Sequence, residues 1–227
     1  LRNPARDDRE KALFSVIPTG GRTMRLHEAE SPNARRVWIF MKEKGIDIER
    51  VPVDIRAGEN LTPEYRAKNP MGRVPVLELD DGRFLAESVA ICRYLESLHP
   101  DPTLFGEDGW EVASIEMWNR RAEINFAMNA ASAFRNITGF FKDRETCVPE
   151  WGQVCAEEAK SQLGVFEDQL AKSDYLAGDR FSIADISMGV FYGFAGMIEK
   201  MAQVDFELDR PNLKRWYELV SKRSSFS

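Results

Sequence analysis

Four short segments hold residue types that can do chemistry at useful positions. Ser31-Pro32-Asn33-Ala34-Arg35-Arg36-Val37 stands between an alternating stretch and a helical stripe. Asn69-Pro70-Met71-Gly72-Arg73-Val74-Pro75 leads into a run of β-formers. Glu87-Ser88 opens a second helical stripe, and Tyr175-Leu-Ala-Gly-Asp179 precedes Ser182-Ile-Ala-Asp185. Ser31, Ser88 and Ser182 each fall where a helix starts. A helix N-terminus carries unpaired N–H groups and the positive end of the dipole, so it can hold an anion. Each serine is equally suited to plain capping. Val74-Pro75 can be an ordinary strand start or a cis X-Pro turn.

The elements that must position these residues are legible in the periodicity. Met24-Arg-Leu-His27 reads as a strand. Ala34, Val37, Trp38 and Met41 lie on one helical face, closed by Gly45, and Ile48 to Val53 reads as a second strand. Pro52 predicts an edge position for it. Thr62-Pro63 starts a short helix. Asp80-Asp81-Gly82 joins Val74–Leu79 to Arg83–Ala86 as a hairpin, and a helix follows from Glu87 with Ile91, Leu95 and Leu98 on one face. The order βαβ, short helix, ββ, helix predicts an α/β thioredoxin-like N-terminal domain.

His99-Pro100-Asp101-Pro102 breaks the chain. Beyond it only helical stripes remain: Val112, Ile115, Trp118, Ala122 and Phe126, then Ala159, Leu163, Phe166 and Leu170, then Leu213, Trp216, Tyr217 and Val220. Ser182 and Asp185 form a capping-box start, and Pro211 suits a first helical turn. The second half is therefore expected to be an all-α helical bundle. The expected division is an extension at 1–23, a first domain at 24–98, a linker at 99–106 and a helical domain at 107–227.

Composition narrows the function classes. A net charge of -6 with no basic tract argues against nucleic-acid binding. No apolar run reaches the ~20 residues of a membrane span, and no signal-type apolar stretch occupies residues 1–23. Cys92, Cys147 and Cys155 form no CxxC pair, and with only His27 and His99 they offer no zinc spacing, so no metal is expected. Three unpaired thiols suit a reducing compartment.

Taken in order, the segments Arg73-Val74-Pro75, Glu87-Ser88-Val89-Ala90-Ile91 and Tyr175–Asp179 with Ser182–Asp185 resemble the cytosolic glutathione transferase family, from about Met24 onward. The likeness is to a bacterial, serine-type (theta- or zeta-like) or nu-like class. That resemblance implies a glutathione-binding first domain, a second-substrate pocket facing the helical domain, no cofactor beyond glutathione as co-substrate, a cytoplasmic homodimer and a detoxification role. It implies that Ser88 and Glu87 hold the γ-glutamyl carboxylate and ammonium. Val74 ahead of Pro75 pairs with the cysteinyl backbone, and Arg73 and Asn60 meet the glycyl end.

The sulfur falls to Ser31 or to Asn33, since Ser31-Pro32-Asn33 is similar to the threonine-proline-asparagine pattern of nu-class members. Tyr65 is the first tyrosine and Cys92 the first cysteine, which excludes the tyrosine- and cysteine-dependent classes. Met117, Trp118, Arg121 and Phe126 are candidates for the electrophile pocket, with core packing as the competing role for Trp118 and Phe126. The reading is a transferase that adds the glutathione thiolate to an electrophile. A glutathione-dependent disulfide or peroxide reductase and a non-catalytic binding module stand as alternatives.

Overall fold

A computed structural model of the chain describes residues 24–227; the expected extension at 1–23 lies outside them. The first part runs β1 (Arg25–Glu28), α1 (Pro32–Lys44), β2 (Glu49–Pro52), a 3-10 turn (Glu59–Leu61), α2 (Pro63–Arg66), β3 (Val76–Glu78), β4 (Phe84–Leu85) and α3 (Ser88–Leu98). The sheet order is β2-β1-β3-β4. β1 and β2 are parallel, and the two remaining pairs are antiparallel. β2 is thus an edge strand, where the missing N–H of Pro52 is tolerated. This is the mixed four-stranded thioredoxin-like arrangement expected from the sequence.

Alternation along β3 sends its side chains to two faces. Leu77 enters the main core with Val37, Ile91 and Leu95 of α1 and α3, while Val76 joins Val53 and Tyr65 of α2 in a smaller cluster. Two expected boundaries move. β3 begins at Val76 rather than Val74, and α3 begins at Ser88, because Glu87 takes φ 66 outside the helical region. Gly45 ends α1 in the left-handed conformation at φ 63, with its N–H and that of Ile46 returning to Lys42 and Met41.

The second part is helical: α4 (Gly109–Arg120), a π-helical turn (Arg121–Ala127), α5 (Met128–Thr138), α6 (Pro149–Leu170), α7 (Ile183–Ala202), α8 (Pro211–Ser221) and a 3-10 turn (Ser224–Phe226). Within the first of these stripes Ile115, Trp118, Ala122 and Phe126 are buried, and only Val112 stays largely exposed. Two fasteners tie the parts together. Lys44, at the end of α1, donates to the carbonyls of His99 (2.8 Å), Pro100 (3.2 Å) and Pro102 and pairs with Glu96, which fixes the connection between the two parts. The Ile183 N–H reaches the Leu104 carbonyl at 3.0 Å.

Asp185 is the centre of the helical part. It completes the capping box of α7 with Ser182 and is fully buried. It accepts from the Leu176 N–H and the Trp216 indole at 2.9 Å, and from the Ser182 N–H and hydroxyl at 3.1 and 3.2 Å. Burial pushes its carboxyl up to about 6, against the four donors that favour the ionised form.

Asp185→Asn should cost roughly 1–3 kcal/mol at neutral pH in denaturant unfolding, because donors are left mismatched. The raised folded-state value gives the sign of the pH dependence. The wild type's contribution from this carboxyl is complete below the unfolded value and is lost as pH rises through about 6. Its advantage over Asp185→Asn should therefore shrink by roughly 2 kcal/mol between about pH 4 and pH 7. A gap that stays constant with pH would show that Asp185 is ionised throughout.

Candidate active site

The starts of α1 and α3 converge, and the π-helical turn of the second part closes on them. Ser31 is the N-cap of α1. Its Oγ accepts from the Ala34 N–H at 3.3 Å and its carbonyl accepts from Arg35 at 2.9 Å, while Pro32 takes the first helical position. The cap uses a lone pair of the hydroxyl. Its hydrogen donates to no described residue, so capping and donation to an anion are compatible.

Asn33 lies on the adjacent turn. Its Oδ1 accepts from Arg36 at 3.3 Å and from the Ser88 hydroxyl at 3.4 Å. That fixes the amide oxygen inward and leaves the amide nitrogen as the free donor of an exposed side chain.

Arg36 joins the three elements, and no sequence argument had singled it out. It is 1% exposed. One guanidinium nitrogen, Nη1, donates to Ser88 Oγ at 2.7 Å, to Glu123 Oε1 at 2.9 Å and to Asn33. The guanidinium also lies 5.4 Å from the Phe191 ring centre of α7. Burial lowers its pKa from the ordinary arginine value, with Glu123 acting in the opposite direction. Its Nε is buried with no partner among the described residues. The available signal was an arginine inside the buried face of α1, between Ala34 and Val37 on one side and Phe40 on the other. Glu123 has no comparable signal, since a π-helical turn rotates it out of the 3.6-residue register.

Glu87 precedes Ser88 with φ 66 and ψ 111 and makes no capping bond. A non-glycine residue held there is strained, and such strain clusters at binding sites. The strain turns an exposed carboxylate outward beside the buried Ser88. The Val74-Pro75 bond is cis. Val74 lies just outside β3, and its backbone groups make no backbone hydrogen bond among the described residues.

Asn60 supports the same loop. Its Nδ2 donates to the Gly72 carbonyl at 2.6 Å, and its Oδ1 is buried without a partner. A Cβ at Gly72, at φ 60, would come 2.9 Å from the Asn60 carbonyl oxygen, so the loop can pass there only as glycine. Arg73 is 57% exposed and faces Glu145 at 3.9 Å.

The structure therefore gathers Asn33, Ser88 and Glu123 around Arg36, with Ser31 capping the same helix as Asn33, and separately sets Asn60 against the Gly72–Pro75 loop. Trp118 stands apart. It is 6% exposed and packs on Phe166 with centroids 5.9 Å apart, while the Arg121 guanidinium lies over its ring at 4.5 Å. This leaves it little surface for a ligand, and Phe126 is fully buried. Met117 is partly exposed. Among the described residues, no group of His, Cys, Asp and Glu could hold a metal, and no helix is long and apolar enough to cross a membrane.

Two family models match the chain: glutathione S-transferase, N-terminal domain, over residues 30–98, and glutathione S-transferase, C-terminal domain, over residues 143–219. Glutathione S-transferase 2 of Saccharomyces cerevisiae is 34% identical over 198 residues, covering 86% of this chain and 83% of that protein. Elongation factor 1-gamma of Prunus avium is 31% identical over 86% of this chain but only 44% of its own length. Among solved structures, a glutathione S-transferase domain-containing protein of Marinobacter aquaeolei superposes with a TM-score of 0.83 at 36% identity, over 89% of this chain and 100% of that one. Gtt2 of Saccharomyces cerevisiae gives 0.82 at 33%, over 89% and 98%.

Removing one partner of the Arg36–Glu123 pair should be far worse than removing both. Arg36→Leu is expected to destabilise by about 2–4 kcal/mol, since it takes the donor from Ser88 Oγ and leaves Glu123 with only the longer contact to Arg120 at 3.8 Å. The double change Arg36→Leu with Glu123→Leu should recover part of that loss in a denaturant double-mutant cycle. Strict additivity of the two changes would remove the pair from the account.

Proposed function

The chain belongs to the glutathione S-transferase family, and from that membership we propose that it conjugates the glutathione thiolate to an electrophilic small molecule. The observation that carries this reading is the meeting of two helix starts on one buried arginine, Asn33 in the first turn of α1 and Ser88 at the start of α3. The start of α3 takes the γ-glutamyl carboxylate on its free N–H groups and the Ser88 hydroxyl, with the Arg36 charge behind it. Binding turns the Ser88 hydrogen away from Asn33. Glu87 receives the α-ammonium. The Val74 backbone pairs with the cysteinyl unit in the manner of an added strand, and Arg73, with the loop that Asn60 supports, meets the glycyl carboxylate.

The sulfur then lies at the start of α1. A free thiol has a pKa of about 8.5, so little is ionised at neutral pH. The helix end together with the Ser31 hydroxyl or the Asn33 amide favours the thiolate. The thiolate attacks an electrophilic carbon, forms the C–S bond and expels the leaving group with its electron pair. Cys92, the first cysteine of the chain, is fully buried, and in this reading glutathione itself is the nucleophile.

Residues 24–98 form the glutathione domain in this reading, 99–106 the linker and 107–227 the helical domain that offers the electrophile pocket, with Arg121 and Met117 as candidates at its wall. A cytoplasmic homodimer serving detoxification completes the proposal. The match to elongation factor 1-gamma supports a second reading, a binding module without turnover.

Glutathione binding by calorimetry and turnover of a chlorinated nitroarene separate these readings: binding without turnover selects the module. Ser88→Ala should weaken glutathione by roughly 1–3 kcal/mol, the scale of a hydrogen bond to a charged group. Ser31→Ala should raise the pKa of bound glutathione by about one to two units, seen in the ultraviolet absorbance of the thiolate during a pH titration. Activity at neutral pH should fall more than affinity. If Asn33→Ala moves that titration and Ser31→Ala does not, Asn33 holds the sulfur and Ser31 is a cap.

A further inference from the structure

The connection between α5 and α6 is seated on the first part of the chain at two places. At one, Arg144 donates from Nη1 to the Ile55 carbonyl at 2.8 Å and from Nη2 to the Arg56 carbonyl at 2.9 Å. At the other, the Glu145 carboxylate faces Arg73, with Oε1 3.9 Å from Nη1. The same Oε1 accepts from Nη1 of Arg135, in the last turn of α5, and that contact is the shorter one. A single carboxylate oxygen is thus divided between an arginine of its own part and an arginine of the first part. The backbone beneath it is fixed. The Glu145 N–H donates to the Phe141 carbonyl at 2.8 Å, and the Val148 N–H to Asn136 Oδ1 at 2.8 Å.

Arg73 is held by its backbone and loose at its head. Its carbonyl accepts from Asn69 Nδ2 at 2.9 Å and from the Tyr65 hydroxyl at 3.1 Å. Its side chain is 57% exposed, and the guanidinium meets Glu145 beyond hydrogen-bond range. A guanidinium in that state can turn to an arriving carboxylate and take it in bidentate geometry. Glu145 opposes the turn twice over, by attracting Arg73 and by repelling the anion. Exposed pairs are individually weak, so the effect tunes selectivity and does not block the site.

We propose that Glu145 is a specificity-determining residue for the C-terminal end of the thiol peptide: it competes with the glycyl carboxylate for Arg73, and Arg135 limits that competition. The chain then separates a free glycyl carboxylate from a neutral end less sharply than Arg73 alone would. Glutathione derivatives with a neutral glycyl end are accepted beside glutathione itself. The inference rests on the reading that places the glycyl carboxylate at Arg73.

The test is calorimetric, on the full chain, with S-methylglutathione and its C-terminal amide, so neither turnover nor thiol ionisation enters. Glu145→Gln should tighten S-methylglutathione about two- to fivefold, the range of an exposed ion pair, and leave the amide nearly unchanged. The gain should fade at about 1 M salt, where screening acts within roughly 3 Å. Arg135→Gln should act in the opposite direction and weaken S-methylglutathione about two- to fivefold, because Glu145 then turns wholly to Arg73. Combining it with Glu145→Gln should give the affinity of Glu145→Gln alone, since Arg135 acts through that carboxylate. Arg73→Gln should abolish the preference for the acid over the amide and remove most of the effect of Glu145→Gln.

Equal effects of Glu145→Gln on acid and amide, or none on either, would overturn the proposal. So would a loss from Arg135→Gln that persists in full in the Glu145→Gln background. If Arg73→Gln abolishes the preference for the acid while Glu145→Gln leaves it unmoved, the competition alone is wrong. If Arg73→Gln leaves the preference intact, the placement of the glycyl carboxylate is wrong and the proposal falls with it.

Discussion

Burying a guanidinium is costly unless partners answer the charge, and Arg36 Nη1 is answered from three separate elements. Ser88 begins α3, Asn33 sits in the first turn of α1 and Glu123 comes from the π-helical turn of the second part. Phe191 of α7 covers it. Removing water strengthens each contact and also raises the penalty for losing one. The position of the two helix starts relative to each other is therefore tied to the position of the helical part. The same charge lies behind the helix end proposed to take a carboxylate, so one side chain serves both assembly and the electrostatics of the pocket.

The chemistry proposed for the site uses backbone more than side chains. Helix starts, the free groups of Val74 and the strained turn at Glu87 are main-chain features. Ser31, Asn33 and Asn60 act at their edges. A site built this way does not depend on a catalytic tyrosine or cysteine. That is consistent with Tyr65 as the first tyrosine and with Cys92 sealed in the core.

The second part holds its shape through buried polar centres as well as apolar packing. Asp185 gathers the start of α7, the turn before it and Trp216 of α8. Lys44 fastens the connection after α3. Both are single charges that satisfy several otherwise unpaired backbone groups, which explains how short connections can cross from one part to the other without leaving buried N–H and C=O groups unmatched.

Local and periodic features were legible in the sequence because they depend on neighbours three or four residues away, or on a single conformational restraint. The capping box at Ser182 and Asp185, the cap at Ser31 followed by Pro32, the left-handed Gly45, the edge strand marked by Pro52 and the βαβ-ββα order are of this kind. The motifs Glu87-Ser88 and Arg73-Val74-Pro75 carried the family resemblance for the same reason. Glu87-Ser88 marks where a helix starts and Arg73-Val74-Pro75 leads into a strand, and a helix start is able to hold an anion.

The tertiary structure alone decided which of these features meet. Periodicity says that Trp118 and Phe126 face inward, but not whether inward means pocket or core, and the packing of Phe166 and Arg121 on Trp118 settles that side chain as core. Arg36 reads as one more charge on a helix until Ser88, 52 residues away, and Glu123, 87 residues away, close on it. The π-helical turn that delivers Glu123, and the loop that sets Arg144 against the Ile55 and Arg56 carbonyls, arise from contacts between distant segments. A sequence records local propensity; the pairing of charges across elements is a property of where the chain returns to itself.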